Sequence, residues 1–112
     1  MQETLVDSLE SLQDSIKHEK ACLLYFSSPS CNVCQVLRPK IMQTIDTKFP
    51  KIKTLHVDLS VTPEIGSQFQ VLAAPTVILF LEGKEFIRKY RTMSVDGLMQ
   101  EIQRPYIILM ES

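Results

Sequence analysis

Apolar residues recur along this chain at more than one period, and the changes of period mark its elements. Leu5, Leu9, Leu12 and Ile16 stand three or four apart with polar residues between them, the spacing of an amphipathic helix. Thr4 as cap and Asp7 in the first turn predict that this helix runs from about 4 to 18. Ala21 to Phe26 is apolar on both alternating faces, as a strand buried on two sides requires, so this block is expected at the centre of a sheet. Val33, Leu37, Ile41 and Ile45 then step by four, which predicts a helix reaching about 48, where Phe49 and Pro50 end it. Pro39 lies inside that helix and is expected to kink its axis. Alternation returns over Ile52 to Asp58 as a second strand, and Thr62, Pro63 and Glu64 read as the cap, first-turn proline and acid of a short helix ending near Phe69. A loop from Val71 runs into a third strand that ends at Leu81; Glu82, Gly83 and Lys84 turn the chain into a fourth, Glu85 to Arg91. Pro75 cannot donate to a ladder and is expected at the entrance of the third strand, where a cis X-Pro bond is tolerated. The last helix begins near Ser94, carries Leu98 and Ile102, and meets Pro105.

The result is an α/β chain with four strands and four helices. Its 112 residues, 45% of them hydrophobic, suit one domain spanning 1–112 with a core of its own. A net charge of −1 offers no electrostatic footprint for nucleic acid or an anionic membrane, and neither partner is expected. The N-terminal residues lack a basic segment followed by an apolar one, and no apolar run approaches the roughly 20 residues of a spanning helix. A cytoplasmic location is therefore expected.

Chemistry concentrates where the first strand meets the second helix. Cys31 and Cys34 stand there three residues apart, Cys31 at the helix N-terminus, where unpaired N–H groups and aligned peptide dipoles favour an anion such as a thiolate. Cys34, one turn along on the same face, can reach the Cys31 sulfur and form or resolve a disulfide. Three cysteines are an odd number for a disulfide framework and suit a reactive pair plus one buried thiol, Cys22. A zinc site would have to complete the pair from Cys22, His18 and His56. Cys22 precedes Phe26 by four strand residues, roughly 13 Å at about 3.3 Å per residue, which places it at the far end of the strand. No metal or other cofactor is expected.

The element order β-α-β-α-β-β-α, the Cys-x-x-Cys at the first strand-to-helix junction, Pro39 five residues after Cys34, and Ala74-Pro75-Thr76 before the hairpin together resemble the thioredoxin family over about residues 4 to 104. The resemblance implies a three-layer α/β/α fold around a four-stranded mixed sheet. It also implies a protein dithiol-disulfide oxidoreductase in which Cys31 attacks the substrate and Cys34 resolves the mixed disulfide. Pro75 would be cis and pack against the disulfide, while Ala74 would pair its backbone with the substrate chain. Ser30, Asn32 and Val33 would complete the substrate surface. Implied partners are protein disulfides and a thiol-disulfide reductase as electron donor. The chain departs from the family at Ser30, where a tryptophan is usual, and at Asn32-Val33, where Gly-Pro is usual. Tyr25 replaces a buried carboxylate and Thr54 a lysine, and a phenol with an ordinary pKa near 10 is a poor base at neutral pH. The family's extra N-terminal strand is not read in this sequence, which would leave Ile52 to Asp58 as a sheet edge. These departures keep a redox-silent binding module as the alternative, whereas no paired-glycine motif after the third strand supports a glutaredoxin-type enzyme. The apolar tail, Tyr106 to Met110, is expected to continue the last helix and pack Leu98, Ile102, Tyr106 and Leu109 along one stripe of a monomer; pairing through residues 106–110 in a dimer is the alternative.

Overall fold

The computed structural model describes residues 4–110. In chain order its elements are β1 (Thr4–Leu5), α1 (Leu9–His18), β2 (Ala21–Ser27), α2 (Asn32–Lys48), β3 (Lys53–Asp58), α3 (Pro63–Gln68), β4 (Thr76–Leu81), β5 (Lys84–Tyr90) and α4 (Val95–Met110). The strands form one mixed sheet in the order β1-β3-β2-β4-β5. Parallel pairing joins β1 to β3 and β3 to β2, and antiparallel pairing joins β2 to β4 and β4 to β5.

Every residue of β2 is buried, as its unbroken apolar run anticipates for a central strand. Its side chains alternate between two packed clusters. Ala21, Leu23 and Tyr25 face α2 and α4 together with Cys34, Ile41, Ile45, Leu98 and Ile102. Cys22, Leu24 and Phe26 face the other way, toward Leu12 and Ile16 of α1 and Ile65 of α3. Helices thus cover both faces of the sheet, giving the three layers expected. Among the described residues, no helix is long and apolar enough to cross a membrane.

The N-terminus differs from its expectation. Helix α1 begins at Leu9, not near Thr4, because Ser8 is its cap: the Ser8 side chain accepts from the Ser11 N–H at 3.1 Å. Residues 4 and 5 instead add a fifth strand, with Thr4 opposite Leu55 and Leu5 opposite His56, and the Val6 N–H donates to the His56 carbonyl at 2.8 Å. Strand β3 is therefore interior, not an edge. The reason is that β3 would otherwise present a row of unpaired backbone groups, which the preceding chain satisfies while burying Val6. Leu5, spaced as though it belonged to the helix stripe, is 65% exposed.

Both interior prolines are accommodated without ending a helix: α2 runs through Pro39 and α4 through Pro105. The α4 extension buries Tyr106, whose ring lies 4.9 Å from that of Phe49 and whose hydroxyl accepts from the Lys51 N–H at 3.2 Å. Leu109 and Met110 are half-buried, while Ile107 and Ile108 remain exposed.

Candidate active site

Strand β2 ends at Ser27, and the next residues turn the chain so that the Cys31 N–H donates to the Ser28 carbonyl at 3.1 Å. Cys31 is then the N-cap of α2 in extended conformation, and its sulfur does what a serine or aspartate oxygen does at other helix starts: it accepts from the Cys34 N–H at 3.2 Å. The two cysteines are joined as a disulfide with Cα atoms 5.3 Å apart. Their environments differ. Cys31 is half-buried and borders solvent, whereas Cys34 is 1% exposed within the core beneath α2. A solvent-bordering cysteine and a shielded one are thereby separated by one helical turn.

Facing the pair is the loop ahead of β4, whose Ala74-Pro75 peptide is cis. Pro75 is buried, and the Thr76 hydroxyl donates to the Ala73 carbonyl at 2.6 Å, fixing the loop. Behind it, the Arg91 N–H donates to the Pro75 carbonyl at 2.8 Å, tying the end of the hairpin to the cis proline. These loops enclose a hollow of about 470 Å³. Six of the residues expected from the sequence line it: Ser30, Cys31, Asn32 and Val33 from one wall, Ala74 and Pro75 from the other. Cys34 lies behind Cys31 in the core.

Arg91 and Thr92 also line this hollow and were not anticipated. The hairpin read from the sequence brings the end of β5 toward Pro75, but the register that puts residue 91 there, with Thr76 opposite Tyr90, depends on an irregularity between Leu79 and Phe80 that no local pattern shows.

Beneath the helix, Tyr25 is fully buried, and its hydroxyl finds no hydrogen-bond partner among the described residues. Burial pushes its pKa up to about 12, against the opposing pull of the Arg38 guanidinium. The phenol therefore stays neutral across the physiological range and cannot act there as a base. Across the strands its ring lies 6.3 Å from that of His56, whose Nε2 is 2.6 Å from the Ser27 hydroxyl oxygen. Cys22 is completely buried on the opposite face of the sheet from Cys34; desolvation, helped by the nearby Glu19 carboxylate, pushes its thiol up to about 12. His18 is exposed at the end of α1, where its Nδ1 is 2.9 Å from the Asp14 carbonyl oxygen. The residues considered for zinc are thus spread over both faces and both ends of the sheet.

Comparison with known proteins gives this geometry its place. The family model for thioredoxin matches residues 3–104. The chain belongs to the thioredoxin family. Among thioredoxin relatives, the thioredoxin-like protein YdfQ of Bacillus subtilis is 34% identical over 103 residues, covering 92% of this chain and 91% of that protein. A thioredoxin of Chlamydia trachomatis is 31% identical over 99 residues, or 88% and 95% of the two chains. The solved thioredoxin of Malassezia sympodialis superposes with a TM-score of 0.83 at 18% identity over 95% of each chain, a likeness of fold. The thioredoxin fold and the Cys31–Cys34 pair support thiol-disulfide exchange as the general chemistry of this chain.

Proposed function

We propose that this chain is a protein dithiol-disulfide oxidoreductase in which Cys31 is the nucleophile and Cys34 the resolving thiol. The observation that carries the reading is the asymmetry of the pair: a solvent-bordering sulfur held at a helix N-terminus by the Cys34 N–H, and a second sulfur shielded one turn behind it. The N–H donor and the helix terminus both favour the thiolate at Cys31.

In the reduced protein the Cys31 thiolate attacks one sulfur of a substrate disulfide. That S–S bond breaks, a Cys31–substrate disulfide forms, and the departing thiolate takes up a proton. Cys34, deprotonated, then attacks the Cys31 sulfur; the second substrate thiol leaves, and the intramolecular disulfide closes. Two electrons and two protons have passed to the substrate. A thiol-disulfide reductase returns them. Because Tyr25 stays protonated, it does not take the Cys34 proton.

Ala74 and Pro75, with Ser30, Asn32 and Val33, form the binding surface. The N–H and C=O of Ala74 carry no hydrogen bond among the described residues, which leaves them for pairing with an extended substrate strand. The reading takes residues 1–112 as one cytoplasmic domain that acts as a monomer, its apolar tail packed intramolecularly through Tyr106.

Insulin reduction with dithiothreitol as reductant tests the assignment. Turnover is expected from the wild type and lost in Cys31→Ser, while Cys34→Ser should accumulate a mixed disulfide with the substrate. Equal background rates for the wild type and Cys31→Ser would overturn the enzyme and leave a redox-silent binding module.

A further inference from the structure

We propose that Arg91 selects substrates, favouring disulfides whose cysteines are flanked by acidic residues. The inference rests on the oxidoreductase reading and names the substrate class of that same site. Among the described residues lining the hollow beside Cys31, Arg91 alone carries a charge; its neighbours there are serines, Asn32, Thr92 and apolar groups. It also lines a second hollow of about 250 Å³ on the far side of the cis-proline loop, with Leu72 and Tyr90, so it stands on the ridge between the two. A substrate strand lying against Ala74 passes beside this residue.

Three further observations single Arg91 out. The cations just before it in β5 are neutralised within the molecule: Arg88 binds both Glu85 carboxylate oxygens at 2.9 Å, and Lys89 lies 2.9 Å from a Glu101 oxygen. Arg91 forms no ion pair with any described residue and is exposed. Its backbone is held at φ 62°, in the left-handed region that a glycine adopts freely and an arginine does not, and its N–H bond to Pro75 locks it there. The backbone that carries this guanidinium is thus anchored at the lip of the hollow, and the exposed side chain has its hydrogen-bonding fork available to a carboxylate. A charge at the rim of an interface acts mainly on encounter and selectivity, and salt screens it.

The experiment uses the full chain and three mixed-disulfide peptides that differ only in the residue next to cysteine: Glu, Gln or Lys. Each is reduced with dithiothreitol regenerating the enzyme. For the wild type at low ionic strength, kcat/KM is expected to fall from Glu to Gln to Lys by about threefold per step, the size an exposed ion pair gives, and the order should flatten at about 0.5 M salt. In Arg91→Gly, which relieves the left-handed backbone, the Glu-to-Lys ratio should approach one; in Arg91→Glu it should invert. A wild-type ratio near one, or a ratio unchanged in Arg91→Gly, overturns the proposal. Failure of the underlying reading looks different: the wild type would then turn over none of the three peptides faster than Cys31→Ser.

Discussion

Tyr25 puts a hydroxyl where it is closed off from the surface and has no protein partner among the described residues. Leaving a buried donor unsatisfied costs about 1–3 kcal/mol, so removing the oxygen while keeping the ring should not destabilise the fold. Tyr25→Phe is expected to unfold in urea at the same midpoint as the wild type or higher, with a gain of up to about 1 kcal/mol. A loss of that size would mean that the hydroxyl is bonded in solution. The buried thiol on the other face makes a pH prediction. Cys22 stays neutral in the folded chain until about pH 12, whereas an unfolded cysteine ionises near 8.5. Its contribution is therefore fully present below the unfolded value and is lost as pH rises above it, because only the unfolded state releases the proton. Denaturation midpoints of the wild type should fall more steeply above about pH 9 than those of Cys22→Ala. In native reduced protein the same thiol should resist alkylation while Cys31 reacts.

Among the elements, α4 shows what its last turns are for. Tyr106 fills the space against Phe49 and receives the Lys51 N–H, joining the end of the chain to the segment between α2 and β3. Truncation to Tyr106→Ala should cost about 3 kcal/mol in urea unfolding, and Tyr106→Phe about 1 kcal/mol. If Tyr106→Ala left stability unchanged, the tail would have to be covering something other than its own domain. The four-residue spacing that made this packing legible served equally well for α2, because long stripes survive an interior proline. It misled at the N-terminus. Leu5 fits the helix stripe of Leu9, Leu12 and Ile16, but a strand of two residues is too short to display alternation, and the demand of β3 for backbone partners is a property of the assembled sheet that no local pattern carries.

For the molecule as a whole, what the sequence made legible was whatever depends on contiguous residues: a fully apolar central strand, a hairpin around Gly83, and two cysteines at a helix start. Contacts that need the completed fold were harder to see. Arg91 reads as an ordinary strand terminus until the pairing of β4 with β5 delivers it to Pro75, and no spacing in the sequence announces an arginine beside the cysteine pair. The same sheet has a border whose chemistry reaches beyond redox function. Among the described residues strand β5 pairs only with β4, and it carries two aromatic side chains, Phe86 and Tyr90, more than half exposed. Such a strand invites edge-to-edge aggregation with another copy. Interleaved with those rings are Lys84, Glu85, Arg88 and Lys89, four charges within seven residues. They are placed as gatekeepers: a second strand docking there would have to strip water from them and disturb the Arg88–Glu85 and Lys89–Glu101 pairs, which opposes edge-to-edge growth.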